Sequence, residues 1–394
     1  METTLIVNPG STSKKYALYA EDRLLLSFRY EVNGQDYYLS IDNNSALVKE
    51  SKISKEVFDF ACHDVFDRIE DSEEITDTKI AIVGIRVVAP GTAFQKHVVI
   101  DEDYISKLKS KEPAAPLHIP HIVKEINQLK EVLPKAVLVA TSDSAFHKTM
   151  PAESHTYSIP VQDAKEFDIY RFGYHGLSVQ SITRRVEKVA GENPSRLVVA
   201  HIGGGASLTA VKNGLSFDTT MGFSPASGLT MVSRSGEIDP GAVVEIMRVK
   251  QLNHRGIHTY LQTQGGLVGM TGESDMRQVL ERRASGDEVA VKAIDHYRYI
   301  FRKNLGALVA GMGGVEVVVL TATAVVRNPY LRQLLMSDME ELGVFIDKEK
   351  NKSLVNAEGV ISTADSRVKV VVMKTDEMGE MYRTTREVIK NGSS

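Results

Sequence analysis

A glycine- and serine-rich turn between two apolar runs occurs twice in this chain, about half a chain length apart. The first copy is Asn-Pro-Gly-Ser-Thr-Ser at residues 8–13, and the second is His-Ile-Gly-Gly-Gly-Ala-Ser at residues 201–207. Glycine allows a backbone to approach a ligand closely, and successive N–H groups together with Ser or Thr hydroxyls can cradle phosphate oxygens. A single turn of this kind usually only reverses the chain. Its repetition at this spacing indicates a duplicated architecture that holds a polyphosphate from two sides.

The order of apolar runs predicts a mixed α/β fold of two related domains. The chain has 394 residues, which is enough for two domains with sizeable cores. Apolar residues with helical spacing predict helices over residues 54–69 and 287–310. No flexible linker separates the halves, so we expect the domains to share a cleft. The predicted boundaries are residues 1–147 with a returning helix at 378–394, and residues 148–377.

Composition excludes several classes of protein. The chain is 42% hydrophobic and 25% charged, which is typical of soluble globular proteins, and no apolar run is long enough to span a bilayer. The net charge of −4 and the lack of a basic patch give no reason to expect nucleic acid as a partner. Because Cys62 is the only cysteine, no intramolecular disulfide can form. With no secretory signal at the N-terminus, we expect a cytoplasmic protein.

Five polar residues follow apolar strands, where the sites of α/β proteins usually lie: Asn8, Arg86, Asp143, His201 and Glu377. Arg86 stands among apolar neighbours, so it is either ion-paired internally or presented to an anionic ligand. Asp143 could hold a metal ion or orient a nucleophile, although an aspartate in such a place more often caps a turn. Glu377 opens the last helix, where an acid also stabilises the helix dipole.

Two further residues lie in turns that precede helices. His175 stands between glycines and aromatic residues, which permit a close backbone approach, although a single histidine is often only a packed side chain. Arg234 lies in a polar turn before a proline-initiated helix, a position from which we expect its side chain to reach a ligand. Other familiar sites are absent from the sequence. It contains no P-loop, no metalloprotease or hydrolase motif, and no dinucleotide-binding glycine motif after a strand.

With these residues in view, the chain resembles the acetate kinase family, which belongs to the larger superfamily of duplicated phosphotransferases that includes actin, Hsp70 and sugar kinases. The resemblance implies two ribonuclease-H-like (actin-like ATPase) domains, with mixed sheets flanked by helices and an active-site cleft between the domains. It extends over nearly the whole length of the chain. The matching motifs are residues 8–13, 86–88, 142–147, 173–176, 201–207, 221–225, 234–240 and 274–277.

The resemblance implies reversible transfer of the ATP γ-phosphoryl group to acetate or another short carboxylate. Two anions react, so cations and preorganised donors must surround them. By the family motifs, Arg86 and Arg234 hold the carboxylate and the transferring phosphoryl group, and His175 stabilises its equatorial oxygens. Asp143 and Glu377 position Mg²⁺, with Mn²⁺ as the alternative ion.

The resemblance also implies the residues that bind substrates and the metal. Val88, Leu117 and Pro225 would contact the methyl group of acetate, next to Tyr174, where the family tends to have phenylalanine. A pocket of this kind separates acetate from propionate or butyrate by only about 1–3 kcal/mol per methylene, so the acyl chain stays open. A homodimer is implied as well. Asn8 would be a metal ligand as well as a phosphate contact, and the residues implied for the nucleotide and its phosphates are Asn8, Ser11, Ser13, Lys15, His201, Gly203, Gly205, Asp275 and Arg277.

The chain departs from the family pattern at four places, and the last of them bears on the donor. Ala89 replaces a histidine, and Gly204 and Asp376 each replace an asparagine. Residues 321–327, Thr-Ala-Thr-Ala-Val-Val-Arg, replace a glycine-rich loop with a glutamate that cradles adenosine. We expect the β-branched valines of this segment to hinder close approach of a ligand. Two alternatives therefore stay open: pyrophosphate or another donor instead of ATP, and a family member with impaired nucleotide binding.

Overall fold

The computed structural model describes residues 2–43, 49–72 and 79–392. These residues form strands and helices in alternation, as the apolar runs predict. The strands are β1 (Glu2–Asn8), β2 (Ser13–Ala20), β3 (Arg23–Asn33), β4 (Asp36–Asp42), β5 (Lys49–Ile53), β6 (Lys79–Val87), β7 (Val98–Val99), β8 (Val137–Ser142), β9 (Arg196–Ile202), β10 (Ala206–Lys212), β11 (Leu215–Thr219), β12 (Val317–Thr321), β13 (Gly359–Val360) and β14 (Lys369–Val372).

The helices range from single turns to seven turns in length. They are α1 (Lys55–Asp59), α2 (Ala61–Glu70), α3 (Glu102–Ser110), α4 (Ile119–Val132), α5 (Ala152–His155), α6 (Val161–Phe167), α7 (Gly176–Ala190), α8 (Pro240–Lys250), α9 (His254–Thr263), α10 (Gly266–Thr271), α11 (Met276–Ala284), α12 (Glu288–Met312), α13 (Thr323–Arg327), α14 (Pro329–Leu335), α15 (Lys348–Ser353) and α16 (Glu377–Gly392). No helix of the described ranges is both long and apolar enough to cross a membrane.

The chain divides into two compact units. The first comprises Met1–Ala145 and Glu377–Ser394, and the second comprises Phe146–Asp376. The first segment ends at residue 145, where the sequence predicted 147. The second unit ends at residue 376, where the sequence predicted 377. Glu377 consequently belongs to the first unit. The last two residues of the segment 378–394 lie outside the described residues.

The first unit contains an eight-stranded sheet in the order β5-β4-β3-β2-β1-β6-β8-β7. Strands β1 to β5 pair antiparallel with their neighbours, whereas β6 pairs parallel with both β1 and β8. The parallel pairing aligns Val7 with Ile85 and Arg86 with Thr141. As a result, the carboxyl ends of β1, β6 and β8 meet at one edge of the sheet.

The second unit repeats this arrangement with a six-stranded sheet in the order β11-β10-β9-β12-β14-β13. Its strands β11, β10 and β9 form an antiparallel meander, and β12 pairs parallel with β9 and β14. The series β3-β2-β1-β6-β8 in the first unit has the same order and the same strand directions. Both glycine-rich turns connect the equivalent pair of strands. The predicted duplicated α/β fold is therefore confirmed.

Helix boundaries differ from the sequence prediction in one informative place. The helix expected over 54–69 is two helices, α1 and α2, separated at Phe60, whose φ of −111° and ψ of 33° are not helical. The long helix is confirmed as α12, which Asp287 caps at its start and Gly313 ends in a left-handed conformation. It buries one stripe that includes Ile294, Phe301 and Leu305.

Candidate active site

Three strand ends of the first unit bring polar side chains together. Arg86 is the penultimate residue of β6, Asn8 ends β1, and Asp143 directly follows β8. The backbone N–H of Asp143 donates to the carbonyl of Val87 at 2.9 Å, which continues the parallel pairing one residue beyond the strand. The predicted clustering of these residues results from strand register alone, because parallel strands end at the same edge.

The guanidinium of Arg86 lies at the centre of this cluster. It donates from Nη2 to Asp143 Oδ2 at 2.9 Å and from Nε to Asp143 Oδ1 at 3.3 Å. Its Nη1 donates to Asn8 Oδ1 at 3.4 Å and lies 3.8 Å from Glu377 Oε2. Burial by itself would lower the pKa of Arg86, but the charges of Asp143 and Glu377 outweigh burial and raise that pKa. The side chain of Asp143 is only 1% exposed, whereas that of Arg86 is 17% exposed. Arg86 is therefore both internally paired and accessible to an anionic ligand.

A histidine that the sequence did not single out holds the end of β8. His97 Nδ1 accepts a hydrogen bond from the backbone N–H of Ser142 at 3.1 Å, one residue before Asp143. Burial lowers the pKa of His97 to about 4, so its ring is a neutral acceptor at neutral pH. Only its position in the fold reveals this role, because nothing in the local sequence distinguishes His97 from other histidines.

The first glycine-rich turn is tight and exposes part of its polar surface. A Cβ at Gly10 would lie 2.6 Å from the carbonyl oxygen of Ser13, so only glycine fits there. Ser11 is exposed, and the hydroxyl of Ser13 is buried without a hydrogen-bond partner in the described structure. Lys15 is partly exposed on β2. These are properties expected of a turn that contacts an anion.

In the second unit, His175 is held by a buried scaffold. It takes a left-handed conformation, with φ of 60°, immediately before α7. The preceding Gly173 has φ of 71°, and a Cβ there would lie 2.6 Å from the ring of His147. His147 itself is fully buried, and its Nε2 lies 2.9 Å from the carbonyl oxygen of Tyr174. The 142–147 motif thus includes a residue that fixes the backbone next to His175.

His175 stacks on His201 at the end of β9. Their ring centroids are 4.0 Å apart, and the planes differ by 23°. His175 Nδ1 bonds to Ser207 Oγ at 2.9 Å, and His201 Nδ1 bonds to Ser178 Oγ at 2.8 Å. In both rings Nδ1 is engaged by a serine, which fixes the ring orientation. The second glycine-rich turn and the His175 motif therefore form one cluster.

Arg234 joins this cluster across Gly205. A Cβ at Gly205 would lie 3.3 Å from both Arg234 Nη1 and His175 Nε2, so the missing side chain lets both approach the turn. Arg234 Nη1 also donates to the carbonyl of Pro225 at 3.1 Å. Pro225 is buried, Val88 is partly buried against the core of the first unit, and Leu117 is 36% exposed.

A cavity of about 530 Å³ opens beside the second glycine-rich turn. Asp275 and Arg277, both predicted for the nucleotide, lie on its wall as an ion pair, with Arg277 Nη2 donating to Asp275 Oδ2 at 2.5 Å. The hydrogen bond from Arg277 holds the pKa of Asp275 below its usual value. The residues that line the cavity are Gly203, Gly204, Val232, Ser274, Asp275, Met276, Arg277, Thr323, Ala324, Arg327 and Asn328.

The expectation that the valines of 321–327 obstruct a ligand is wrong. Val325 and Val326 are buried within α13 and do not line the cavity. Positive φ is taken instead by Ala322, with φ of 73° and ψ of 172°, between β12 and α13. The segment is thus a short helix after a strained residue rather than an open loop.

The described residues contain no group of three or more His, Cys, Asp or Glu side chains arranged to hold a metal ion. The oxygens of Asn8, Asp143 and Glu377 nevertheless converge on Arg86. Two carboxylates and one amide oxygen are a donor set that suits Mg²⁺ when phosphate oxygens and water complete the coordination. The residues present therefore fit the ion that the resemblance implies.

Comparison with known proteins agrees with this arrangement. The model of the acetokinase family matches residues 3–381. The chain is 34% identical to the acetate kinase of Bacteroides thetaiotaomicron over 396 residues, which covers 98% of this chain and 99% of that protein. The crystal structure of Porphyromonas gingivalis acetate kinase has a TM-score of 0.85 and 30% identity, covering 99% of this chain and 100% of that one. The crystal structure of a propionate kinase from Francisella tularensis has a TM-score of 0.87 and 30% identity, and the match covers 98% of this chain and 100% of that one.

The resemblance inferred from the motifs is confirmed, as is the assignment to the enzymes that phosphorylate a carboxyl group. The relatives extend over nearly the full length of this chain, so the match includes both units. The chain therefore belongs to the acetokinase family of phosphotransferases.

Proposed function

We propose that this enzyme transfers the γ-phosphoryl group of ATP reversibly to acetate, forming acetyl phosphate and ADP. A carboxylate oxygen of acetate attacks the γ-phosphorus, and the bond from that phosphorus to the β,γ-bridging oxygen breaks. The electron pair of the broken bond stays on ADP, so no general base is needed for a carboxylate nucleophile. Catalysis then consists of positioning and charge stabilisation.

The observation that supports this proposal most strongly is the convergence of Arg234 and His175 on Gly205. A guanidinium and an imidazole N–H beside a glycine-rich turn are the donors that a transferring phosphoryl group requires. Arg234 would neutralise its charge, and His175 would donate to an equatorial oxygen. The contact between His175 Nδ1 and Ser207 orients the ring so that Nε2 faces the turn.

Arg86 would bind the carboxylate of acetate. Asp143 holds the guanidinium with two hydrogen bonds, so its orientation is fixed before the substrate arrives. Such preorganisation reduces the entropy lost when a planar carboxylate pairs with the guanidinium.

Mg²⁺ would be held by Asn8, Asp143 and Glu377, directly or through water, and Mn²⁺ takes the same oxygen ligands. When bound, the ion neutralises charge on the phosphates and the leaving oxygen. The side chain of Glu377 is 16% exposed, so it can reach a ligand outside the protein core.

For the donor, we propose a nucleotide rather than pyrophosphate. The cavity of about 530 Å³ lies within the range of small-molecule sites, about 300–1,000 Å³, and is far larger than pyrophosphate needs. Asp275 and Arg277 would contact the nucleoside. The residues proposed for the phosphates are Asn8, Ser11, Ser13, Lys15, His201, Gly203 and Gly205.

Propionate is the second candidate acceptor, because a propionate kinase is among the most similar solved structures. Val88, Leu117 and Pro225 would contact the acyl chain. One methylene changes binding by only about 1–3 kcal/mol, so comparison of kcat/KM for acetate, propionate and butyrate decides this point.

A homodimer in the cytoplasm, where ATP is supplied, completes the proposal. Helix α8 has no buried residue in the described structure, although five of its eleven residues are Val, Ile or Met. Val244 and Val249 are 65% and 62% exposed. A second copy of the chain would cover this face. Sedimentation equilibrium should give a dimer for the wild type and a monomer for Val244→Glu, whereas Val137→Glu on β8 should stay dimeric.

The activity is tested by trapping acetyl phosphate as its hydroxamate, with acetate, Mg²⁺ and either ATP or pyrophosphate. We expect ATP to support turnover, and we expect Arg234→Ala and Asp143→Asn each to lose at least about a hundredfold in kcat. Circular dichroism should show both variants folded. Near-normal rates in either variant would refute its assignment, and activity with pyrophosphate alone would refute the nucleotide donor.

A further inference from the structure

The charged residues around the nucleotide cavity are not equally available to a ligand. Arg277 is occupied by Asp275, to which it makes three side-chain hydrogen bonds of 2.5–3.0 Å. Arg327 also lines the cavity, and it is exposed. Its side chain makes no hydrogen bond or ion pair with the described residues. A guanidinium has five N–H donors and no acceptor, so whatever meets Arg327 must supply acceptors.

The position of Arg327 relates it to the nucleoside rather than to the phosphates. A Cβ at Gly203, in the phosphate turn, would lie 3.8 Å from the Cβ of Ala322, which directly precedes α13. Arg327 is the last residue of α13, about 6 Å along the axis from Thr323, the first residue of the helix, at about 1.5 Å per residue. If the phosphates of the donor bind at Gly203, Arg327 lies beside the nucleoside and not beside the phosphates.

Helix α13 is held rigidly in this place. Arg332 is fully buried, and its Nη1 donates to the carbonyls of Val325 at 2.6 Å and Val326 at 3.3 Å. The side chains of Val325 and Val326 are buried as well. Arg327 thus projects from a fixed turn of helix and not from a mobile loop.

Two side-chain acceptors in the cavity wall, those of Asp275 and Asn328, already accept hydrogen bonds from the protein. The carboxylate of Asp275 accepts from the side chain and the backbone N–H of Arg277. Asn328 Oδ1 accepts from the backbone N–H of Leu331 at 3.0 Å. The hydroxyls of Ser274 and Thr323 can donate or accept, so they do not discriminate. The amino group at position 6 of adenine needs an acceptor, whereas the O6 and N7 atoms of guanine or hypoxanthine need donors.

We propose that the cavity prefers a 6-oxopurine nucleoside triphosphate, GTP or ITP, over ATP, and that Arg327 recognises the O6 and N7 acceptors of the base. This inference rests on the proposed function and refines the identity of its donor. Arginine is the side chain that pairs most often with O6 and N7 of guanine, and such a pair changes binding by about 1–3 kcal/mol. We therefore expect kcat/KM for GTP and ITP to exceed that for ATP by about tenfold or more.

The test compares ATP, GTP, ITP and pyrophosphate as donors in the hydroxamate assay, with wild type, Arg327→Gln and Arg386→Gln. Glutamine can pair with N6 and N7 of adenine, so Arg327→Gln should shift the ratio of GTP to ATP toward ATP by about tenfold or more. Arg386 is exposed on α16 in the first unit, and its variant should keep the wild-type ratio. A wild-type preference for ATP or pyrophosphate, or a ratio that Arg327→Gln leaves unchanged, would overturn the inference.

A binding measurement separates this inference from the proposed function. Calorimetric titration of the full chain with GDP and with ADP needs no turnover, so it applies even to an inactive enzyme. Tighter binding of GDP, lost in Arg327→Gln, supports the inference, and tighter binding of ADP to the wild type overturns it. Failure to form acyl phosphate with every donor would refute the proposed function alone.

Discussion

Arg86 and Asp143 form a two-bond ion pair in which the carboxylate is almost completely buried and the guanidinium is partly exposed. The asymmetry has a consequence for function. The carboxylate of Asp143 is too buried for a large ligand to reach. It nevertheless sets the orientation of the Arg86 guanidinium, which a ligand can reach. The pair therefore links the stability of the first unit to the orientation of Arg86, the residue proposed to bind the carboxylate of acetate.

Arg86→Gln should destabilise the protein, because it leaves the carboxylate of Asp143 buried without its cation. Asp143→Asn should also destabilise the protein, because it leaves the guanidinium of Arg86 without its carboxylate partner. Breaking one partner of a buried pair costs about 3–5 kcal/mol, whereas removal of both charges costs less than the sum of the single changes. We expect the double variant to be less destabilised than that sum by about 1–3 kcal/mol in urea denaturation, with turnover lost in all three proteins. Strict additivity would show that the two side chains do not stabilise each other.

Gly205→Ala should lower kcat without a comparable loss of stability. The new methyl would lie 3.3 Å from Arg234 Nη1 and from His175 Nε2, so both groups would have to move by a few tenths of an ångström. Misplacement of catalytic groups on this scale costs roughly tenfold in rate. Because φ of Gly205 lies outside the left-handed region, alanine adds no backbone strain. Steady-state rates and thermal melting measure the two effects separately.

Gly311→Ala on α12 is the matched control for this substitution, since a Cβ there meets no atom within 4 Å. It should leave kcat unchanged and should stabilise the helix slightly. Equal rates for Gly205→Ala and Gly311→Ala would contradict the assignment of Arg234 and His175 to the reacting phosphoryl group.

Acid should weaken the first unit through His97. Its pKa is about 4 in the folded protein, against an ordinary value of about 6.5 in the unfolded chain. Since the unfolded chain binds the proton more readily, the stability of the folded state is fully present above about pH 6.5 and falls as the pH drops toward 4. Between pH 7.5 and pH 5 this residue should cost about 2 kcal/mol.

His97→Asn tests this pH dependence, because asparagine keeps a neutral acceptor for the N–H of Ser142 and does not titrate. The free energy of unfolding at pH 7.5, 6 and 5 should fall less steeply for the variant than for the wild type. Parallel slopes would mean that protonation of His97 does not contribute to acid destabilisation.

Much of the fold, and the proximity of several candidate site residues, could be predicted because both depend on local pattern. The repeated glycine-rich turn indicated the duplication, and the ends of apolar strands located Asn8, Arg86 and Asp143. In a parallel sheet, strand ends meet at one edge, so position in the sequence translates directly into proximity.

The residues that hold the site in place could not be predicted in the same way. His97, His147 and Arg332 act through contacts with segments distant in sequence, and the local sequence does not reveal those contacts. The valines at 325 and 326 misled the prediction because their side chains are buried within α13, whose backbone carbonyls accept hydrogen bonds from Arg332. A β-branched residue hinders a ligand only if its side chain faces the cavity.

Arg332→Met should cost about 3 kcal/mol or more and should raise the KM for the nucleotide. Burial lowers the pKa of Arg332 to about 10, yet its guanidinium donates to four backbone carbonyls and to the side chain of Asn351. Without it, several buried acceptors lose their donor, at about 1–3 kcal/mol each where no replacement exists. Helix α13 would then be held less firmly against the cavity.

Arg327→Met provides the matched control for stability. The same change is made five residues earlier, at an exposed arginine whose side chain makes no hydrogen bond with a described residue. It should alter the free energy of unfolding by no more than about 0.5 kcal/mol. Similar losses in both variants would show that the carbonyl contacts of Arg332 contribute little.

Ala322→Gly should stabilise the protein, which is unusual for a substitution by glycine. With φ of 73° and ψ of 172°, Ala322 occupies a region that is essentially reserved for glycine, at a cost of about 1–3 kcal/mol. Glycine removes that strain but loses more entropy on folding, by about 0.5–1 kcal/mol. The net gain should be about 1 kcal/mol, seen as a higher Tm. Ala324→Gly, two residues later inside α13, relieves no strain and should instead lose up to about 1 kcal/mol. If both variants melt below the wild type, the backbone at Ala322 is not strained.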